Sequence, residues 1–515
     1  MLLRFSPWLI LAGLTAVSTG AESKPNFSGI WKLLNGDHPQ TMIIEQNESE
    51  LRVLQQVEDR LDTVKGPIDG QPHLQSAEGH PEGFLARWEG VSLFFQAKNE
   101  AHLMHLAANG QTMSVKRTNV TQPATFREKW EKQDPLPQED ILTPFDGRRQ
   151  LDDRSVDLSG VEGNRLRGWM AHAFNDVPQA ERELLPIINQ NPPSKFRDEA
   201  RRRLAEVYQR NGMVRKALPY WGMGERTFFY KGLAKYPEMA VTQRGYARLA
   251  ATHDSDGRIL LPVTAAGKDA SYEVDTGANL SMLSMSEARR LGLKLERLRM
   301  IVMNGIVKFD APLTIVPVLT VGAIRLENVP FWVVPDARQD WPGTLGIDVL
   351  LKLETLRWNA GGDVEIGFPA QEKNVRDANL CFWDHDLLTD VPSTDAASNG
   401  HSGMIFFLDM GANRTELYPR FAIGNLDLVS ASGKQSLNEW DALGGHREIM
   451  ELTLPEITLS IGGSFATKRP AGVLLEKPPL HAKIHGVIGM DVLNSAPRVT
   501  LDLQAMRLTI EAPER

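Results

Sequence analysis

Alternating apolar and polar positions characterise the first part of the chain. Residues 41–44 and 51–54 are short apolar or alternating runs separated by a polar turn, and residues 91–95 and 112–115 continue the pattern. Short runs with a period of two predict β-strands, because successive side chains of a strand point to opposite faces. Residues 25–135 are therefore predicted to form a β-rich domain.

A Gly-x-Trp motif lies at the start of this domain. Residues 27–32 read FSGIWK, which resembles the opening of lipocalin-like barrels. The resemblance implies that Trp31 closes one end of a barrel and that Gly29 permits close backbone approach. A small β-domain with a buried Trp is the alternative to a ligand-binding barrel.

A helical period replaces the alternation between residues 160 and 245. The positions that share a helical face are Leu166, Met170, Ala173 and Phe174 in one stretch, and Ala200, Leu204, Ala205 and Tyr208 in the next. Gly212 breaks the second stretch before helical spacing resumes at Ala217. The residues from Leu204 to Ala217 resemble one tetratricopeptide helical hairpin. A helical spacer and a partner-binding groove are the two interpretations.

The chain becomes β-rich again from about residue 255, and its motifs occur twice. The first copy reads YEVDTGAN at 272–279 and GTLGIDVL at 343–350, and the second reads FFLDMGAN at 406–413 and GVIGMDVL at 486–493. Two ordered motifs at similar spacing, found twice, indicate an internal repeat. A hairpin is predicted at the end of each copy, formed by 356–358 with 364–366 and by 499–501 with 508–510.

These motifs resemble those of the retropepsin-like aspartic proteases. The resemblance covers residues 255–370 (lobe 1) and 380–512 (lobe 2). It implies two β-lobes with Asp275 and Asp409 as the catalytic carboxylates, and neither a metal nor another cofactor. The residues it assigns to support of the two active-site loops are Thr276, Gly277, Ala278, Gly411 and Ala412.

Two carboxyl groups in one site suit peptide hydrolysis, which needs an activated water and a proton for the leaving amine. Carboxylates placed close together cannot both ionise, so they share a proton. The ionised group accepts a proton from water while the protonated group polarises the carbonyl, as is established for aspartic proteases.

Met410 departs from the family pattern, because it stands in lobe 2 where Thr276 stands in lobe 1. The family uses this Thr hydroxyl to bond across to the partner loop, and a Met side chain cannot donate such a bond. We expect a clamp that is at best half formed. The alternatives are a non-catalytic peptide-binding or assembly protein, and an enzyme that pairs Asp275 with Asp275 of a second chain.

The family also closes a glycine-containing β-hairpin, the flap, over the substrate. Asn304 and Gly305 are the flap candidates in lobe 1, and Gly444 and Gly445 are those in lobe 2. Ordinary surface turns are the alternative at both places.

The N-terminus has the pattern of a secretory signal peptide over residues 1–21. Arg4 supplies a positive charge, residues 5–17 are mostly apolar, and residues 18–21 are small. An uncleaved anchor is the alternative, although the apolar run is short for a membrane span. A periplasmic or secreted location is therefore predicted, with no stable membrane insertion after cleavage.

Composition excludes several classes of function. Cys381 is the only cysteine, so neither an intramolecular disulfide nor a cysteine-based zinc site is expected. The net charge is −8 and no long basic run occurs, so nucleic-acid binding has no electrostatic support.

Together these patterns predict a multidomain, mainly β protein. A β-domain comes first, a helical linker domain at 160–245 follows, and duplicated acid-protease lobes come last. The predicted function is that of an aspartic endopeptidase acting on a peptide or protein substrate. A monomer whose two lobes form a pseudo-dimer is expected, with a homodimer as the alternative.

Overall fold

A computed structural model of the chain describes residues 24 to 511 with gaps. The predicted signal peptide lies outside the described residues. The gaps are 25–26, 28, 34–40, 47–48, 58–59, 70, 72, 78–79, 90–91, 98–99, 109–111, 120–124, 134–143, 146, 149–158, 192–194, 223–224, 304–307, 337–340, 360–361, 384, 393–402, 426–427, 429–433, 443–444 and 475–483.

The chain is mainly β with some helices, and it divides into two compact units, residues 1–135 and 136–515. In the part of the chain that the structure describes, no helix is both long and apolar enough to cross a membrane.

One antiparallel sheet forms the described part of the first unit. Its strands are β1 (Gly29–Leu33), β2 (Thr41–Gln46), β3 (Glu50–Val57), β4 (Arg60–Pro67), β5 (His73–Ala77), β6 (His80–Glu89), β7 (Ser92–Ala97), β8 (Glu100–Leu106), β9 (Thr112–Asn119) and β10 (Thr125–Gln133). The strand order is β4-β3-β2-β1-β10-β9-β8-β7-β6-β5, so the first strand pairs with the last.

Apolar side chains of alternate positions form the core of this sheet. Trp31 and Phe27 are fully buried, and the Trp31 Nε1–H donates to the Phe27 carbonyl oxygen at 2.8 Å. The other buried members are Met42, Ile44, Leu51, Val53, Ala86, Leu93, Phe95, Met104, Met113 and Val115. A buried Trp fits both interpretations of the Gly-x-Trp motif, and the lipocalin-like resemblance stays a prediction.

Helices begin the second unit. They are α1 (Gly160–Ala173), α2 (Val177–Ile188), α3 (Arg197–Arg210), the single turn α4 (Val214–Ala217) and α5 (Glu225–Leu233). Gly212, with φ of +73°, follows α3, and a 3-10 turn at Leu218–Tyr220 contains Pro219. Pro219 lacks an amide hydrogen and so cannot continue the helical hydrogen bonds beyond α4. The helix after Gly212 is therefore much shorter than α3, its expected partner in a helical hairpin.

The range predicted for the helical segment extends too far. Residues 240–243 form a strand that pairs with a later strand of lobe 1. Pairing with this distant strand therefore decides their structure.

Lobe 1 and the strands that lead into it follow in chain order. They are β11 (Ala240–Gln243), β12 (Ala247–Leu249), β13 (Thr252–His253), β14 (Ile259–Ala265), β15 (Lys268–Val274), β16 (Met282–Ser284), α6 (Met285–Leu291), β17 (Arg299–Met303), β18 (Lys308–Val321), β19 (Ile324–Val334), β20 (Gly343–Leu345), α7 (Ile347–Leu353), β21 (Thr355–Trp358) and β22 (Val364–Ile366).

Lobe 2 contains a corresponding series of elements. They are β23 (Leu380–Trp383), β24 (Asp386–Val391), β25 (Met404–Leu408), β26 (Glu416–Leu417), α8 (Pro419–Gly424), β27 (Lys434–Ala442), β28 (Gly445–Leu454), β29 (Ile457–Ile461), β30 (Ser464–Lys468), β31 (Ala471–Leu474), β32 (Gly486–Ile488), α9 (Met490–Leu493), β33 (Val499–Asp502) and β34 (Arg507–Ile510).

The central strands of the two lobes pair in the same pattern. In lobe 1, β15 and β20 are parallel, β20 and β16 antiparallel, and β16 and β19 parallel. In lobe 2, β25 and β32 are parallel, β32 and β26 antiparallel, and β26 and β31 parallel, which is the same order of pairings. A hairpin, β17–β18 in lobe 1 and β27–β28 in lobe 2, extends each sheet beyond them.

The two hairpins predicted at the ends of the copies are confirmed, and they join the lobes. β21 pairs with β22, and β33 pairs with β34. β21 also pairs with β33, with Leu356 opposite Leu501, which gives one sheet in the order β12-β22-β21-β33-β34. Both leucines are fully buried, so this sheet is a packed connection between lobe 1 and lobe 2.

Candidate active site

Parallel strand pairs deliver Asp275 and Asp409 to their positions. Asp275 follows β15, and its amide donates to the Leu345 carbonyl oxygen of β20 at 3.1 Å. Asp409 follows β25, and its amide donates to the Ile488 carbonyl oxygen of β32 at the same distance. Each aspartate therefore stands where a central strand ends, held to the Gly-containing motif of its own lobe.

The backbone turns tightly after each aspartate and points amides at the carboxylate. The amides of Gly277 and Ala278 donate to Asp275 Oδ1 at 2.7 and 3.2 Å. Those of Gly411 and Ala412 donate to Asp409 Oδ1 at 2.9 and 3.1 Å. Two amide donors per carboxylate fix its orientation.

The two carboxyl groups meet across the lobes. Asp275 and Asp409 are in side-chain hydrogen-bonding contact, and both residues keep partial access to solvent. A Cβ on Gly277 would lie 2.5 Å from Asp409 Oδ1, and a Cβ on Gly411 would lie 2.5 Å from Asp275 Cγ. Each glycine therefore leaves the space that the carboxyl group of the other lobe occupies.

The Thr276 hydroxyl links the Asp275 loop to the Asp409 loop. It donates to the Leu408 carbonyl oxygen at 2.6 Å and accepts from the Met410 amide at 3.0 Å. Both partners are backbone groups of lobe 2. Met410 takes part through its backbone amide, so this bond does not need a hydroxyl on the side chain of residue 410. The Met410 side chain is fully buried. The expectation of a half-formed clamp matches these contacts.

A second network supports each loop, and sequence reasoning missed it. Ser281 Oγ donates to Asp348 Oδ1 at 2.7 Å and accepts from the Gly346 amide at 3.0 Å. No motif in the sequence joins the serine to this aspartate. The only available signal was a hydroxyl residue six positions after each site aspartate, in both copies.

Thr415 makes the same contacts in lobe 2. Its Oγ1 donates to Asp491 Oδ1 at 2.7 Å and accepts from the Gly489 amide at 3.0 Å. One difference separates the two networks, because Lys468 Nζ lies 2.7 Å from Asp491 Oδ2, whereas Asp348 Oδ2 is buried without a hydrogen-bond partner. The Asp491 oxygen lacks a well-aligned hydrogen bond as well, so its contact with Lys468 is that of an ion pair.

Burial raises the pKa of both site aspartates. For Asp409 the pKa lies well above its usual range, because burial disfavours the anion and the charge of Asp275 adds to the effect. For Asp275 burial also raises the pKa, but the Gly277 amide and the hydrogen bond with Asp409 oppose the rise. Two carboxyl groups coupled in this way titrate as a pair, so a shared proton belongs to the pair rather than to either residue.

Asp348 has a shifted pKa as well. Burial raises it to about 6, against the lowering effect of the bonds from Ser281 and the Val349 amide. This carboxyl group lies beneath the Asp275 loop, so a titrating group of lobe 1 is coupled to the position of that loop.

The flap candidates fall, along the sequence, within the segments that contain hairpins β17–β18 and β27–β28. Asn304 and Gly305 fall outside the described residues, between Met303 of β17 and Lys308 of β18, which pair with each other. Gly444 also falls outside them, whereas Gly445 begins β28 and pairs with Ala442. Their assignment to a flap stays a prediction.

A metal site is not apparent in the described part of the chain, where no group of three or more His, Cys, Asp or Glu side chains is placed to hold an ion. Cys381 is fully buried, and burial raises the pKa of its thiol well above the usual value, so the thiolate is disfavoured.

Comparisons with known proteins give a family match within lobe 1. A family model described as aspartyl protease matches residues 261–349, which include Asp275 and Gly346, so the chain contains an aspartyl protease-like domain. Among solved structures, a retropepsin-like aspartic protease from Rickettsia conorii matches with 20% identity and a TM-score of 0.19, covering 25% of this chain and 91% of that one. No curated protein matches the chain.

Proposed function

We propose that the chain is an aspartic endopeptidase whose two lobes contribute one aspartate each to a single site. The observation that carries the proposal is the contact between the Asp275 and Asp409 carboxyl groups within one chain. Two carboxyl groups in contact that share a proton supply a base and an acid in the same place, which is what peptide hydrolysis by activated water requires.

The two carboxyl groups take complementary roles. The ionised carboxylate accepts a proton from the attacking water, while the protonated partner donates a hydrogen bond to the peptide carbonyl oxygen. The water oxygen forms the new bond to the carbonyl carbon. The carboxyl group that took the proton from water then gives it to the nitrogen of the tetrahedral intermediate, the C–N bond breaks and the amine leaves. The amides of Gly277, Ala278, Gly411 and Ala412 hold both carboxylates in place for this sequence.

Further parts of the proposal concern the context of the reaction. The hairpins β17–β18 and β27–β28 act as flaps over an extended peptide. The chain works as a monomer, because its own two lobes provide both carboxylates. It is secreted or periplasmic, as the sequence of residues 1–21 indicates.

Asparagine substitution of each aspartate tests the proposal. Asp275→Asn and Asp409→Asn should each reduce peptide cleavage by at least about a thousandfold while the protein stays folded, because the pair acts as a unit. Cleavage of a broad peptide library from acid to neutral pH is the measurement, with circular dichroism to verify folding. Full activity of Asp409→Asn would point to a two-chain dimer instead.

A non-catalytic peptide-binding protein is the second candidate, and the buried Met410 favours it. Under this alternative the unsubstituted protein cleaves nothing in the library but binds some of the peptides. Peptide binding measured by fluorescence polarisation, together with the absence of cleavage, would replace the endopeptidase proposal.

A further inference from the structure

Helix α5 packs on an apolar surface of lobe 1 that adjoins the Asp275 loop. We define this surface, the lobe 1 platform, as Leu280, Met282, Ala311 and Trp332. The Phe229 ring lies 5.2 Å from the Trp332 ring, measured between centroids, and Leu233 of the same helix packs into the same cluster. Leu280 lies two positions after Ala278, so the platform begins where the site loop ends.

The same helix also contacts the base of hairpin β17–β18. Gly232 lies so close to Leu298 that a Cβ on the glycine would be 2.6 Å from Leu298 Cδ1. Leu298 directly precedes β17, and Met300 within β17 packs against the same cluster. Tyr236, just after the helix, donates from its hydroxyl to Glu296 Oε2 at 3.1 Å.

The opposite side of α5 is held by the helical segment. The Tyr230 ring stacks on Trp221, with centroids 5.1 Å apart and an interplanar angle of 9°. Tyr230 and Trp221 are both buried in the core that α2, α3 and α4 share. Phe229 and Leu233 pack against that core as well as against lobe 1, so the helix connects the core with the base of the lobe 1 hairpin.

Strand register identifies the matching positions in lobe 2. Met282 pairs with Trp332 in lobe 1, and the corresponding pair in lobe 2 is Glu416 with Gly472. Gly346 and Gly489 lie against the carbonyls of Leu280 and Arg414 respectively, so Arg414 corresponds to Leu280.

The lobe 2 positions are charged where the lobe 1 platform is apolar. Arg414 donates to Glu416 Oε1 at 3.1 Å and to Glu451 Oε2 at 2.9 Å, and both glutamates are almost fully buried. Covering Arg414 with an apolar helix would remove its remaining hydration without a new partner, which is costly for a charged group. The chemistry of the two surfaces thus restricts the docking of α5 to lobe 1.

We propose that helix α5, through Phe229 and Gly232, is a positioning element that sets the placement of hairpin β17–β18. Its function as a determinant of peptide binding rests on the proposed endopeptidase function, but its mechanical part does not. The helical segment then controls one of the two hairpins, and the hairpin of lobe 2 is independent of it.

Hydrogen exchange in the full chain tests the mechanical part without any need for activity. Phe229→Ala should accelerate amide exchange in residues 299–303 and 308–311 by about tenfold or more, because it removes buried contacts beneath that hairpin. Lys231→Ala, an exposed substitution on the same helix, should leave that exchange unchanged. Unchanged exchange in the lobe 1 hairpin, or equal acceleration in β27–β28, would overturn the proposal.

Kinetics test the consequence for the substrate. Phe229→Ala should raise KM several-fold with little change in kcat or in the pH profile, because a displaced hairpin weakens peptide binding and leaves the carboxyl pair intact. Phe229→Leu, which keeps an apolar contact, should restore most of the affinity. A merely structural helix would instead lower the active fraction, so that apparent kcat falls while KM stays constant, and that result would refute the positioning role.

Two further results separate the possible failures. If Phe229→Ala does not fold, Leu298→Ala removes the contact of α5 at Gly232 from the lobe 1 side and is judged by the same exchange criterion. If the unsubstituted protein cleaves nothing, the endopeptidase proposal fails, while accelerated exchange in the lobe 1 hairpin would still support α5 as its positioning element.

Discussion

Met410 occupies the position in lobe 2 that Thr276 occupies in lobe 1, and its side chain is fully buried. The Thr276 hydroxyl already has a donor and an acceptor bond, both with backbone atoms of lobe 2. A hydroxyl is therefore not required at residue 410 for this half of the clamp. The Met side chain is flexible and apolar, which suits a fully buried position.

Met410→Thr should therefore lower the stability of the protein and leave turnover unimproved. The substitution creates a small void and buries a hydroxyl, which together cost about 1–3 kcal/mol in the free energy of unfolding. Thermal denaturation and steady-state kinetics are the measurements. Met410→Leu is the control, because it nearly conserves volume and should cost less than about 1.5 kcal/mol. A rise in kcat at constant KM would show that a weakened clamp limits the enzyme.

At the scale of elements, each site loop rests on the helix of its own lobe through a hydroxyl–carboxylate pair. Ser281 with Asp348 and Thr415 with Asp491 make equivalent bonds, so the local supports have the same geometry. Their electrostatics differ, because Lys468 pairs with Asp491. The same fold therefore contains one carboxyl support that titrates near pH 6 and one stabilised by an ion pair.

Asparagine substitutions of these two aspartates should have opposite effects near neutral pH. The pKa of Asp348 rises from an ordinary 3.8 to about 6 on folding, so its contribution to stability is fully present below about pH 4 and is lost as the pH rises through 6. Asp348→Asn should abolish that loss, which is on the order of 3 kcal/mol. Urea denaturation between pH 4 and 7 measures it.

Asp491→Asn is the matched comparison. It removes the partner of Lys468, which is mostly buried, so the protein should be destabilised at pH 7. An unchanged slope of stability against pH in Asp348→Asn would mean that Asp348 is ionised throughout this range.

At the scale of the whole molecule, the site exists only because the lobes face each other. The sheet β12-β22-β21-β33-β34 holds them together away from the site, and Thr276 holds them at the site. The pKa shift of Asp409 depends in part on the other lobe, since the charge of Asp275 adds to the rise that burial causes.

Activity should consequently follow a bell-shaped dependence on pH. A working pair would carry one proton: activity should fall at low pH as both carboxyl groups become protonated, and at higher pH as the pair loses its shared proton. Because burial and the charge of Asp275 raise the pKa of Asp409, the upper limb lies above the ordinary range of an aspartate. Measurement of kcat/KM against pH should give limbs of about tenfold per unit. A profile that rises steadily with pH would contradict a shared proton.

The sequence by itself determined the local features of this protein. The strand period predicted the β-rich regions, the repeated motifs marked two similar lobes, and the hairpins at 356–366 and 499–510 were confirmed. Asp275 and Asp409 stood out because glycine and alanine follow both at the same spacing. Such features are encoded over a few residues, where side-chain periodicity and turn preferences act directly.

Only the tertiary structure decided which distant groups meet. The Thr276 hydroxyl bonds to a backbone carbonyl and a backbone amide more than a hundred residues away. Residues of almost any type carry these backbone groups, so the sequence does not identify the partners. The bond between Ser281 and Asp348 joins two residue types that are common throughout the chain, so neither one indicates the other. The docking of α5 on lobe 1 depends on the apolar surface of lobe 1 and the charged surface at the matching positions of lobe 2. These contacts follow from the path of the chain through space, because packing selects partners by shape and charge rather than by separation along the sequence.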